Sequence, residues 1–187
     1  STFALDLDLD MMLNTDAEMN IIFDEKIGDV MTGRGVSDNM RIIMTPDGDM
    51  SMTGRYEITQ GDYLFTYLNV VNRRFKVEQG SWLQWTGDPF DAQMDIKATY
   101  TVENANLSAW DTTQTSGAKM DVKLFMNGTL QKPQITFKVE LPGATQSASF
   151  GVTSAISRMN SDPQEMSRQV FSLIVLGSVA PPGRFFG

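Results

Sequence analysis

The 187-residue chain is 41% hydrophobic, carries a formal net charge of -8 and contains neither Cys nor His. That length allows one large or two small domains, and the apolar content allows a substantial buried layer. The missing residue types exclude thiol nucleophiles, disulfides, the usual zinc sites and the commonest general base, while the acidic balance argues against nucleic acid and against simple electrostatic docking on anionic headgroups.

From Phe3 to Leu13, Phe3, Leu5, Leu7, Leu9, Met11 and Leu13 alternate with a face bearing Asp6, Asp8 and Asp10. A period of two predicts a long strand with one wet side. The three carboxylates lie about 7 Å apart on an extended chain and lack the glycine-containing loop that wraps calcium, so they read as a solvated face that also discourages edge pairing. A hydrolase built on them is disfavoured. Met19, Ile21 and Phe23 predict a second strand, and the segment from Asp24 to Asp29 a turn. Val30 to Val36 contains Gly33-Arg34-Gly35, which marks a bulge or a close backbone approach rather than a phosphate loop, since no helix start follows. Met40, Ile42 and Met44 give another apolar face before the turn Pro46-Asp47-Gly48-Asp49.

The run from Gly54 to Val102 reads as a β-meander, with turns expected at Gln60-Gly61-Asp62, Asn72-Arg73, Gln79-Gly80-Ser81 and Gly87-Asp88-Pro89. Met50, Met52, Tyr56 and Ile58 share one face of its approach, and Ala92, Met94, Ile96, Ala98, Tyr100 and Val102 one face of its last strand. Glu103 to Lys119, polar apart from an isolated Trp110, predicts a long irregular loop. Met120, Val122, Leu124 and Met126 resume the alternation, Asn127-Gly128 turns it, and Ile135, Phe137, Val139 and Leu141 end it. Ser147 to Met159 is a weak helix pattern. Asp162, Pro163 and Glu165 predict a capping box opening a helix to about Leu176, with Met166, Val170, Phe171, Leu173, Ile174 and Leu176 on its apolar side and Gly177 as the stop. The domain division expected is a β region over 1–145 and a helical segment and tail over 146–187.

Nearly every strand has one apolar face, yet the helical patterns are few and C-terminal. About ten strands must therefore close as a sandwich, as a barrel, or as a curled trough filled by something else. Nine of the 13 Met fall on the apolar side, where an adaptable side chain suits either ordinary gap-filling or varied guests such as acyl chains. An outer-membrane barrel is disfavoured, because Trp82, Trp85 and Trp110 do not repeat as aromatic girdles.

The ordered series Gly54-x-Tyr56, Gly61-x-Tyr63, Phe75-x-Val77-x-x-Gly80-Ser81, Trp85-x-Gly87-Asp88-Pro89 and Met94-Asp95-Ile96-x-Ala98-x-Tyr100 resembles the C-terminal domain of the TamB family. Val122-x-Leu124-x-x-Asn127-Gly128-x-Leu130-x-x-Pro133-x-Ile135-x-Phe137, Leu141-Pro142 and the helix with Gln164-Glu165 and Phe171-Ser172-Leu173-Ile174 extend the likeness over most of Met50 to Gly177. It departs at Phe90-Asp91 and in the Glu103 to Lys119 loop.

The resemblance implies a mostly β fold, a long antiparallel sheet curled into a β-taco with an apolar interior plus a C-terminal helix. It implies no enzyme and no cofactor, a periplasmic place on the outer-membrane side, an inner-membrane anchor elsewhere in the full-length protein, and two partners: phospholipid acyl chains and a BamA/TamA-type outer-membrane barrel. The groove residues expected are Leu5, Leu7, Leu9, Met11, Ile21, Met40, Ile42, Met52, Tyr56, Met94, Ile96, Met120, Val122, Leu124, Ile135 and Phe137. Acyl chains would lie along them passively, each buried methylene contributing about 0.8 kcal/mol. The alternative is a lipid-independent module that pairs a sheet edge with the barrel partner by strand addition.

Overall fold

A computed structural model describes residues 5–24, 29–114, 116–143 and 148–183. Its strands are β1 (Leu7–Leu13), β2 (Glu18–Asp24), β3 (Asp29–Met44), β4 (Met50–Tyr67), β5 (Val71–Val77), β6 (Trp82–Gly87), β7 (Gln93–Ala105), β8 (Ala118–Gly128) and β9 (Pro133–Glu140), followed by the helices α1 (Phe150–Ser161) and α2 (Pro163–Leu176). The nine strands form one sheet in the order β1-β3-β4-β5-β7-β8-β9, with β2 on β3 and β6 between β4 and β7. The path has two ends, so the sheet is open and not a closed barrel, as the trough expectation requires. Phe3, at the start of the first predicted strand, and most of the turn before Asp29 lie outside the described residues.

Two predicted turns are corrected. β4 runs unbroken through Gln60-Gly61-Asp62, and Gly61 pairs with Gly33 on one side and Val77 on the other. A Cβ at Gly61 would stand 2.7 Å from Thr32 O, so this glycine serves close strand contact rather than chain reversal. The reversal comes at Leu68-Asn69-Val70, where Leu68 and Asn69 are both left-handed (φ 52° and 57°). Asn72 and Arg73, expected in a turn, lie within β5 opposite Thr66 and Phe65. The turns at Gly80 and at Asp88-Pro89 stand where predicted, and the Asp88 side chain accepts from the Phe90 N–H at 2.9 Å. After Gly128 the chain reverses over residues 129–132, just beyond the predicted Asn127-Gly128.

The two apolar patches of β3 belong to a single 16-residue strand. Its register against β4 slips between Arg34 and Gly35 and again between Val36 and Arg41. The second slip gives β3 one extra residue, leaving Asp38 and Asn39 both exposed. Met31, Gly33, Gly35 and Ser37 on one side of it, and Met40, Ile42 and Met44 on the other, consequently face the same way despite opposite parity.

The chain divides into two compact units, one of Ser1–Ala98 with Phe125–Ile135, the other of Thr99–Leu124 with Thr136–Gly187. In the first, Tyr56, Ile58, Tyr63, Phe75, Leu83, Met94 and Ile96 are buried. In the second, Met120, Val122, Leu124, Val152, Ala155, Met159, Met166, Val170, Leu173 and Ile174 are buried.

Both C-terminal helical patterns are realised. Asp162 ends α1 through its N–H to Met159 O and opens α2 by accepting the Gln164 N–H at 3.0 Å. Because the Asp162 N–H is already engaged, the predicted capping box does not form, and Glu165 turns instead to Arg168 and Gln169. Leu176, expected on the apolar side of α2, is exposed. Trp110 is not isolated: it is buried with Leu107, and its indole N–H donates to Ala180 O at 3.0 Å.

Candidate functional site

Directly opposed residues of an antiparallel pair share a face, so the register defines which apolar side chains form a surface. Leu9 lies opposite Ile42, which lies opposite Met52; Leu7, Met44 and Met50 make the next row, and Met11 opposes Met40. Leu9 and Met50 are 41% and 42% exposed, and Leu5, just before β1, is 47% exposed. Leu7, Met11, Ile42, Met44 and Met52 are half-buried, whereas Met40 is fully buried. The β1-β3-β4 end of the sheet therefore presents a methionine-rich apolar face that the described chain covers only in part. Met44 and Met50 belong to it although neither is among the expected groove residues; their place on the apolar side of the alternation was the available signal.

The remaining expected groove residues behave differently. Tyr56, Leu83 and Met94 form one cross-strand row over β4, β6 and β7, and Tyr56, Met94 and Ile96 are buried by neighbouring side chains. Ile21, half-buried, sits opposite Met31 on the β2 flank of β3. Ile135 is exposed on β9 and lines, with Phe23, Tyr63, Met126 and Leu130, a recess of about 100 Å³ within the first unit. In the second unit Met120, Val122 and Leu124 have no exposed surface, and Phe137 is half-buried.

That second unit has its own apolar cleft, about 560 Å³, between the end of β9 and α1. Val139, Leu141, Ala148 and Ile156 line it, with Thr153, Ser157 and Asn160 adding polar groups. Its other conspicuous feature is a polar stripe on α2, Glu165, Gln169 and Ser172, all buried. Gln169 accepts from the Ala180 N–H and donates to Ala180 O, both at 2.9 Å, and Ser172 donates to Ser178 O at 2.5 Å. Arg168 donates to Pro181 O. The stripe recurs at i, i+4 and i+7, a helical spacing that could have exposed it in the sequence.

Electrostatics at these places are local. Desolvation pushes the Glu165 carboxyl up, but hydrogen bonds from Arg168, Gln169 and the Gly183 N–H, with the Arg168 charge, hold it below the ordinary Glu range. Asp29, buried, accepts from Tyr63 Oη at 2.5 Å and from the Thr66 N–H at 2.9 Å, yet desolvation wins and raises its pKa; Tyr63 is raised too, by burial first and then by Asp29. On the outer face of β1, Asp8 accepts two bonds from Arg41 at 2.9 and 2.6 Å, and Asp10 stands 3.6 Å from the same guanidinium. The hydrogen bonds from Arg41 lower the Asp8 pKa.

The fold is of the mostly β class: an open antiparallel sheet followed in sequence by two helices. The chain belongs to the TamB C-terminal domain family, whose model matches residues 1–184. Membership assigns it to a transport and assembly module of outer-membrane biogenesis, and implies a periplasmic location at the outer membrane and a TamA/BamA-type partner there. No helix among the described residues is long and apolar enough to cross a membrane. No significant match among curated proteins was found.

Proposed function

We propose that this domain carries phospholipid acyl chains between the inner and outer membranes on its apolar sheet face and docks on a BamA/TamA-type barrel. The observation that supports it is the partly exposed apolar face of Leu7, Leu9, Met11, Ile42 and Met52, with exposed Leu5 just before it, extended by Met44 and Met50. Acyl chains need no directional contacts, and flexible methionines adapt to them. Loading begins at this open end. Tyr56, Met94, Ile96, Met40, Met120, Val122 and Leu124 would meet lipid only where their covering side chains part; Ile21, Ile135 and Phe137 are partly accessible.

A photoreactive amino acid at Leu9 or Ile42 should crosslink phospholipid in cells, and one at the outward Asp8 should not. Absence of lipid adducts at both inner positions, in a folded and expressed protein, would reject the carrier reading. The second reading, strand addition to the barrel, is favoured by the position of β1 at one end of the strand order, and backbone-blocking proline substitutions in β1 would abolish that docking while lipid crosslinking persisted.

A further inference from the structure

The turn between β4 and β5 breaks a local rule. Both Leu68 and Asn69 adopt positive φ, and the Val70 N–H closes the turn on Tyr67 O at 3.1 Å. Asn and Gly suit such positions, whereas a bulky Leu is strained there. Nothing in packing offsets this, because Leu68 is 74% exposed and Val70 82% exposed. Two aliphatic side chains thus project from the tip of a hairpin that a polar sequence would close more stably. Sites where a sequence departs from its own local preference without a folding gain are where function is sought.

The charges around the tip run against the rest of the chain. Residues 63–77 contain Arg73, Arg74 and Lys76 and no carboxylate, in a protein of net charge -8. Arg73 pairs with Phe65 on one face of the hairpin, and Arg74 pairs with Leu64 on the other, so each face carries a cation. Arg73 and Arg74 lie three and four residues past Val70, about 10 Å and about 14 Å at strand rise. Tyr67, opposite Val71, sits between tip and cations. Aliphatic tip, aromatic, then basic collar is the order of environments met on crossing from acyl chains to anionic headgroups.

We propose that the β4–β5 hairpin seats its Leu68-Asn69-Val70 tip in a phospholipid bilayer, with Arg73 and Arg74 against anionic headgroups. The whole-chain acidity conceals this local reversal of sign. The inference is independent of the carrier face on β1, β3 and β4, and concerns a bilayer surface rather than a bound lipid.

The full chain should sediment with vesicles of phosphatidylcholine containing phosphatidylglycerol, and less with phosphatidylcholine alone. Arg73→Gln and Arg74→Gln should each weaken the anionic-vesicle association about fivefold. Leu68→Asn should weaken it about tenfold while leaving Tm unchanged or higher, since Asn accepts the left-handed conformation. Phe90→Asn, at an equally exposed apolar side chain in the β6–β7 turn, should leave sedimentation unaffected. Failure of the full chain to associate, a Leu68→Asn variant that binds as before, or one whose Tm falls would each overturn the proposal.

Discussion

Tyr56 lies across Gly35. A Cβ at Gly35 would stand 2.9 Å from Tyr56 Cζ and collide with Glu57 O, so the ring occupies the space that a side chain would fill. The Tyr56 hydroxyl reaches beyond, to 3.1 Å from Ala17 O and 3.3 Å from Gly33 O, and ties β4 to the start of β2 over the back of β3. Gly35→Ala should cost about 2 kcal/mol through overpacking, and Tyr56→Phe about 1 kcal/mol through the lost hydrogen bond. Urea denaturation measures both, and a neutral Gly35→Ala would contradict this packing.

Charge substitutions should separate the open face from the sealed core. Ile42→Asp, on the half-buried row with Leu9 and Met52, should keep its strand circular dichroism and lose co-purified phospholipid in native mass spectrometry. Ile96→Asp places a carboxylate at a site with no exposed surface and should destabilise by about 4 kcal/mol. Equal stability of the two variants would show that the faces are not distinct in this way.

The clasp on α2 should be felt in the second unit. Gln169→Ala removes both bonds to Ala180, taking the side-chain acceptor from its N–H and leaving its C=O with the Trp110 indole, a loss of about 2 kcal/mol. The Trp110 indole, bonded to the same Ala180 carbonyl, should report it as faster indole N–H exchange. Unchanged exchange would mean that the segment is held by other contacts.

Two buried carboxyls predict opposite responses to acid. Glu165 is held below its ordinary value of 4.5, so its contribution is complete above that value and is lost as the pH falls through the lower folded value. Asp29 is raised above 3.8, so the folded state binds its proton more tightly and stability grows as the pH falls from the raised value towards 3.8. Glu165→Gln should flatten the acid loss, and Asp29→Asn should remove the acid gain. Residue-resolved hydrogen exchange across the acid range distinguishes them, and the reverse signs would refute both assignments.

Alternation alone located most strands and their inward sides, including Leu7, Leu9 and Met11 on β1 and Met120, Val122 and Leu124 on β8. It did not tell which inward sides are covered. Leu9 and Ile96 obey the same period of two, yet one is exposed and the other sealed, because coverage depends on strands distant in sequence. Gly61 and Asn72 carry turn chemistry but serve strand contact, a distinction made only by the neighbouring strands. Trp110 finds its acceptor 70 residues away, and Glu165, a textual fit to a cap, is claimed by Arg168 and Gln169. The family likeness, read over most of Met50 to Gly177, is met by a family match that extends over residues 1–184.

The extra residue in β3 near Asp38-Asn39 works as a phase corrector between two halves of one strand. Deleting a single residue there would keep every letter of Met40-Arg41-Ile42-Ile43-Met44 but rotate it by half a period, turning Arg41 towards the greasy side and Ile42 towards water. The apolar face shared by β1, β3 and β4 would be interrupted by one missing peptide unit, with the composition of the molecule almost untouched.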